Sequence, residues 1–161
     1  MKHFLALSLA LVLAMSVQIS AQTIGVILVQ DEAIDSARSL VLSEAILGGA
    51  LDGLFQAGYI GTNLRPVLGS RQDWLDVVPD YYTLAGYVDY LVIFYASYEP
   101  AAVLQAPGLE YRIMAVNSRE ILREGRLEAV AAIGQNEAAI EKACTDSGAT
   151  LILAGLAGLD L

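Results

Sequence analysis

The sequence predicts a single α/β domain, a sandwich of two or three layers with a mixed sheet of about four to five strands and helices packed on it. Two apolar runs and the segment between them lead there. TIGVILVQ (23–30) is short, apolar and β-rich, and segment 36–59 after it has helical spacing. VDYLVIFYASY (88–98) is β-forming and apolar on both faces, as a central strand is.

The elements follow in order. TIGVILVQ reads as a buried first strand, closed by Asp31 and Glu32. In the helix, Leu40, Ala45 or Ile46, Leu47, Leu51, Leu54 and Phe55 recur three and four apart on one face. Ser36 is placed to cap its start and Gly58 to end it. Gly48 and Gly49 fall mid-helix, where glycine costs stability, so they mark either close packing on the sheet or a kink. YIGTNLRPVLGS (59–70) is extended and carries a weak second strand, kept from a central position by Pro66. A short helix is expected around Tyr81 to Gly86.

After the central strand, PAAVLQAPG (100–108) is a loop or hairpin connection. LEYRIMAVN (109–117) alternates, with Leu109, Tyr111, Ile113 and Ala115 on one side and Glu110, Arg112, Met114 and Val116 on the other. It predicts a strand antiparallel to the one before. From Arg119 the period becomes helical, with interruptions at Gly125 and Gly134 and its firmest stretch at 135–146. Ser147-Gly148 then ends the helix, and Thr150 to Ala154 is expected as a last strand.

The first 21 residues have the form of a secretory signal: Lys2 and His3, an apolar run from Phe4 to Val17, then Ile19 and Ala21 where a signal peptidase inspects. Cleavage after Ala21 leaves 22–161 as one domain with no integral membrane segment, periplasmic or secreted. The single cysteine, Cys144, lies far downstream, so no lipid anchor is expected at the signal. Cys144 itself reads as a small buried residue on the inner side of a helix.

Charge and composition exclude several chemistries. The chain has 9 Lys plus Arg, 18 Asp plus Glu and 1 His. Loss of Lys2 and His3 with the signal leaves a net charge of −10, one lysine (Lys142) and no histidine. Without histidine there is no Ser-His-Asp or Cys-His arrangement and no imidazole acid or base. A zinc site built on histidine or several cysteines is excluded too, which leaves carboxylates as the only plentiful metal ligands, and no metal site is assigned. The acidic balance opposes nucleic-acid binding and adhesion to anionic lipid. No GxGxxG or GxxxxGK[ST] motif occurs, and the turn after the first strand, QDEAID, repels phosphate. No cofactor and no catalytic residue are therefore assigned. Carboxylate-based hydrolysis is the one enzymatic alternative, with no motif marking an acid pair.

Two groups of candidate binding residues remain. Asp31, Glu32 and Asp35 cluster at the carboxyl end of the first strand, where open α/β sheets bind ligands, and offer a cation or amine site. The plainer reading is loop acids that favour the following helix N-terminus. Trp74, Tyr81 and Tyr82 lie in the least regular segment and are expected as an exposed contact patch. The tyrosines of 87–98 read as core and sheet packing. Arg112, Arg119, Arg123 and Arg126 are matched by Glu110, Glu120, Glu124 and Glu128, the pattern of a charge-paired helical surface rather than an anion site.

The run Val88-Asp89-Tyr90-Leu91-Val92, then Tyr111-Arg112-Ile113, then Ser118-Arg119-Glu120-Ile121-Leu122 resembles bacterial envelope domains of the CsgG, TolB amino-terminal and LpoB kind. The turn reads Asn117-Ser118-Arg119 where that pattern carries a Thr-Gly pair. The resemblance implies a periplasmic, non-catalytic interaction domain and carries over no binding residue. The expected function is protein–protein interaction or assembly, with another envelope protein or by self-association. The alternative is a small-molecule or cation-binding module at the end of the first strand.

Overall fold

The computed structural model describes residues 22–30, 36–72, 74, 88–98, 106–128, 136–159 and 161. The signal region, Tyr81 to Gly86 and most of the loop at 100–108 lie outside them. The elements are β1 (Thr23–Gln30), α1 (Ser36–Gln56), β2 (Ile60–Asn63), β3 (Val67–Leu68), β4 (Tyr90–Ser97), β5 (Gly108–Ala115), β6 (Ile121–Leu127) and α2 (Glu137–Leu156).

The sheet has six strands in the order β2-β1-β4-β5-β6, with β3 also paired to β1. β1 is parallel to β2, β3 and β4, while β4, β5 and β6 run antiparallel in turn. The mixed α/β sandwich read from the sequence is therefore the fold. Asp89 pins the start of β1 to β4: its carboxylate accepts from the Thr23 N–H at 2.8 Å and its own N–H donates to the Thr23 carbonyl at 2.9 Å.

Strand alternation divides the core in two. Ile24, Val26 and Leu28 of β1, Val92, Phe94 and Ala96 of β4, and Leu109, Tyr111 and Ile113 of β5 face both helices. Ile27, Val29, Leu91, Ile93, Tyr95 and Met114 face the other way, where Trp74, Leu64, Val67 and Val88 cover them. This is why β1 and β4 are apolar throughout.

α1 ends as the sequence predicts. Gly58 has φ of 85°, and the Tyr59 N–H reaches back to the Leu54 carbonyl at 3.0 Å, a Schellman closure that favours glycine. Ser36 is the first residue of the helix rather than the residue before it. Ile46, Leu47 and Leu54 are buried as expected, but Leu40 and Phe55 point outward.

Two expectations fail. The charged stretch after Arg119 is a strand, β6, not a helix. A turn at 116–118 and a positive φ at Arg119 (57°) reverse the chain, and Ala115 N–H donates to the Glu120 carbonyl at 2.9 Å. Glu124 then stands opposite Arg112 and Arg126 opposite Glu110. Arg112 and Glu124 pair across the two strands, while Arg126 pairs with Glu128 two residues on. The second failure is Thr150 to Ala154, which continues α2. Asn136 caps that helix by accepting from the Ala139 N–H at 2.8 Å. Ile140, Cys144, Ser147, Leu151 and Gly155 then fall on one buried face at helical spacing. Leu151 and Ile152 are buried while Leu153 is exposed, a helical pattern rather than a strand's alternation.

Glycine explains why α2 does not stop at Gly148. A Cβ there would lie 2.1 Å from the Ile46 carbonyl oxygen, and one at Gly49 would lie 1.9 Å from the Thr145 carbonyl oxygen. The two helices touch backbone to backbone, and only glycine fits at those points. The Gly49 signal thus marks close packing, against the second helix rather than the sheet. Arg123 of β6 closes the far end by donating to the carbonyls of Ala154, Gly155 and Ala157 at 3.2, 2.8 and 2.7 Å. A cation at a helix C-terminus is favourable.

Gly148→Ala should destabilise the protein by about 2–4 kcal/mol in urea unfolding, because backbone must move to admit the methyl. Gly48→Ala should stabilise it by roughly 0.5–1 kcal/mol, since nothing lies within 4 Å of that position and alanine favours the helix. Equal effects of the two substitutions would contradict the helix–helix contact.

Candidate functional site

The carboxyl end of β1, where a ligand site was expected, carries a buried polar cluster shared with the end of β4. Gln30 is the last residue of β1, and Ser39 and Ser43 lie one turn apart on the inner side of α1. Tyr98 follows β4 directly. Gln30 Nε2 donates to Ser39 Oγ at 3.0 Å, and Ser43 Oγ donates to Gln30 Oε1. The Tyr98 hydroxyl lies 3.1 Å from Ser43 Oγ and donates to the Ser39 carbonyl at 3.4 Å. Among the described residues no buried side-chain polar atom lacks a partner. The cluster therefore ties the start of α1 to the sheet and leaves no buried donor or acceptor facing outward. Asp31, Glu32 and Asp35 lie outside the described residues.

Burial pushes the Tyr98 hydroxyl up to about 12, against the hydrogen bond from Ser43. Burial likewise pushes the Cys144 thiol up to about 12. Neither group ionises near neutral pH, so neither is a nucleophile there. The inward placement of Cys144 expected from sequence is met: it is fully buried on α2.

The second face of the sheet holds Trp74, which is 3 % exposed. The exposed patch expected at Trp74 is thus corrected to a buried one. Tyr81 and Tyr82 lie outside the described residues. The indole ring packs 5.9 Å from the Tyr95 ring, and its Nε1 donates to the Ile93 carbonyl at 3.4 Å. The guanidinium carbons of Arg112 and Arg71 lie 5.2 and 5.7 Å from the ring centre. Arg112 pairs with Glu124 at 2.6 Å, and Arg71 with Glu110 at 2.7 Å. The arrangement is a cation–π and ion-pair stack that fastens Arg71 and Trp74 onto β4, β5 and β6. Every one of its charges is matched, which agrees with the charge-paired reading of the arginines. The Arg112–Glu124 pair is cross-strand, a geometry hidden while β6 was read as a helix.

Two surface features complete the inventory. The outer side of α1 exposes Leu40, Val41 and Phe55, and β6 forms an end of the sheet. Among the described residues no group of three or more His, Cys, Asp or Glu side chains is placed to hold a metal ion. No helix among them is long and apolar enough to cross a membrane.

No protein-family model and no curated protein sequence matches the chain. Several solved structures are similar to it. Lipoprotein GNA1162 from Neisseria meningitidis aligns at 14 % identity and a TM-score of 0.49, covering 71 % of this chain and 84 % of that one. The LpoB C-terminal domain from Salmonella enterica aligns at 18 % identity and 0.34, covering 76 % and 91 %. TolB from Acinetobacter baumannii aligns at 14 % and 0.38, covering 82 % of this chain and 28 % of that one. Structures of the LpoB and TolB kind, to which the 88–122 run is similar in sequence, are thus among those the chain resembles.

Both raised groups keep their protons in the folded state after the unfolded chain has begun to lose them. Their contribution to stability is whole below the ordinary values of 9.0 for Cys144 and 10.0 for Tyr98, and is lost as pH climbs to about 12. Unfolding free energy should fall from pH 9 to 12, by at most about 1.4 kcal/mol per pH unit for each group. Cys144→Ala should flatten the first part of that fall. A thiol reagent at pH 8 should leave the native protein unlabelled and modify it once denaturant is added. Rapid labelling of the native protein would contradict the burial.

Proposed function

We propose that the chain is an exported, non-enzymatic domain of the bacterial cell envelope that acts by docking onto another envelope protein. The outer face of α1 carries this reading. Leu40, Val41 and Phe55 are 44, 50 and 81 % exposed, and Ile60, just beyond the helix, is 54 % exposed. Spacing puts the three helical residues on one side with Glu44, Gly48 and Asp52, also exposed. Three large apolar side chains on one helix face, interrupted by two acids and a glycine, form a surface suited to a partner rather than to water.

Other observations support it. Residues 1–21 have the form of a secretory signal, which fits export to the periplasm or beyond, and the part after them has no histidine. The buried polar groups at the end of β1 bond one another, which leaves the surface as the place where a partner is met. The excess of acids favours a protein partner over phosphates or anionic lipid.

A photocrosslinking residue at Phe55 or Val41, in cells, should capture a defined envelope protein. The same residue at Glu141, on the outer side of α2, should not. Val41→Asp should abolish capture from position 55 while leaving the melting temperature within a few degrees, as exposed sites allow. Equal capture from position 141, or none from either α1 position, would overturn the reading.

A further inference from the structure

We propose that two copies of this chain join edge to edge through β6, as antiparallel strands about a two-fold axis at Gly125. β6 is the last strand of the sheet, and among the described residues only β5 pairs with it. Its other edge therefore presents backbone N–H and C=O groups to a further strand. The charges say which strand fits. Two-fold antiparallel pairing sets residues equidistant from the axis opposite each other, on one face of the sheet. With the axis at Gly125, Glu124 faces the partner's Arg126, and Arg126 faces the partner's Glu124.

The pattern continues into β5. Arg112 stands opposite Glu124 and Glu110 opposite Arg126 in the observed register. Across the joined sheet a row then reads Arg112, Glu124, the partner's Arg126, the partner's Glu110, alternating in sign. The symmetry-related row reads the same from the other side. Moving the axis one residue either way sets Glu124 against itself or Arg126 against itself, which like-charge repulsion disfavours. Of the axes at residues 124, 125 and 126, only that at Gly125 opposes unlike charges.

The opposite face fits as well. Two glycines meet at the axis, so neither β6 strand brings a side chain of its own there. Tyr111 occupies the space above Gly125, where a Cβ would lie 2.4 Å from its ring. Arg126 is now paired with Glu128, and both side chains are largely exposed. Such a pair is weak and releases Arg126 readily. Only five residue pairs meet, from Arg123 to Leu127, so a weak, salt-sensitive dimer is expected.

This goes beyond docking through α1: a protein that stays monomeric yet is captured from Phe55 would overturn the dimer and leave that reading intact. Sedimentation equilibrium on the purified protein at low salt should show a monomer–dimer equilibrium. Arg126→Glu and Glu124→Arg should each weaken it about tenfold. Mixing the two variants should restore association, because every opposed pair is then of opposite sign. Where the charge variants fail to fold, cysteines test the same geometry. An equal mixture of Glu124→Cys and Arg126→Cys should oxidise to a mixed disulfide dimer in preference to either variant alone, the native Cys144 being buried. A monomer at every concentration, no gain on mixing, or self-crosslinking of Glu124→Cys alone as efficient as the mixture would each refute the proposal.

Discussion

The contact of α1 with α2 at Gly49 and Gly148 is the constraint on which the rest of the structure depends. Backbone carbonyls occupy the space where side chains would stand, so the helices lie side by side on one face of the sheet. That placement fixes which residues of α1 turn inward. Ile46, Leu47 and Leu54 reach the sheet, Ser39 and Ser43 reach Gln30 and Tyr98, and Leu40, Val41 and Phe55 are left outside. The apolar outer face follows from how tightly the inner ones are used. The far face of the sheet is closed by Trp74, which shares a helical stretch with Arg71 and Gln72, and by Leu64, Val67 and Val88.

Among the described residues, the buried polar groups and the stacked ion pairs hold the structure together. Gln30, the two serines and Tyr98 satisfy one another. Arg112 and Arg71 stack near Trp74 while held by Glu124 and Glu110, and Arg123 finishes α2. Burial raises Tyr98 and Cys144 away from neutrality. These arrangements fasten elements to one another. What the protein offers to its surroundings is the surface, and the two features singled out there, an apolar helix face and a charge-patterned sheet edge, are of kinds that other proteins recognise.

Much of this was legible in the sequence, for reasons that separate the successes from the failures. β1 and β4 were found because strands buried on both faces are apolar throughout. The end of α1 was found because Gly58 supplies a left-handed residue where the motif needs one. β5 was found by its alternation, which also placed Glu110 and Arg112 on one side. β6 was missed because Glu and Arg favour helices locally, and their strand partners lie on another segment that no local window contains. The last strand was misread because Gly148 looks like a stop in one dimension and is a contact in three. The burial of Trp74 was missed because its neighbours, Tyr95, Arg112 and Arg71, come together only through the sheet. Asp31, Glu32, Asp35, Tyr81 and Tyr82 lie outside the described residues, so the expectations placed on them stand as sequence readings.

The central claim is that α1 and α2 touch backbone to backbone, since the two cores and the exposed face of α1 follow from it. Nuclear Overhauser spectra of the isotope-labelled protein test it most directly. They should show cross-peaks from the Gly49 α-protons to Thr145 and from the Gly148 α-protons to Ile46 and Ala50. Helices separated by a full layer of side chains would show none of these, and that result would contradict the account.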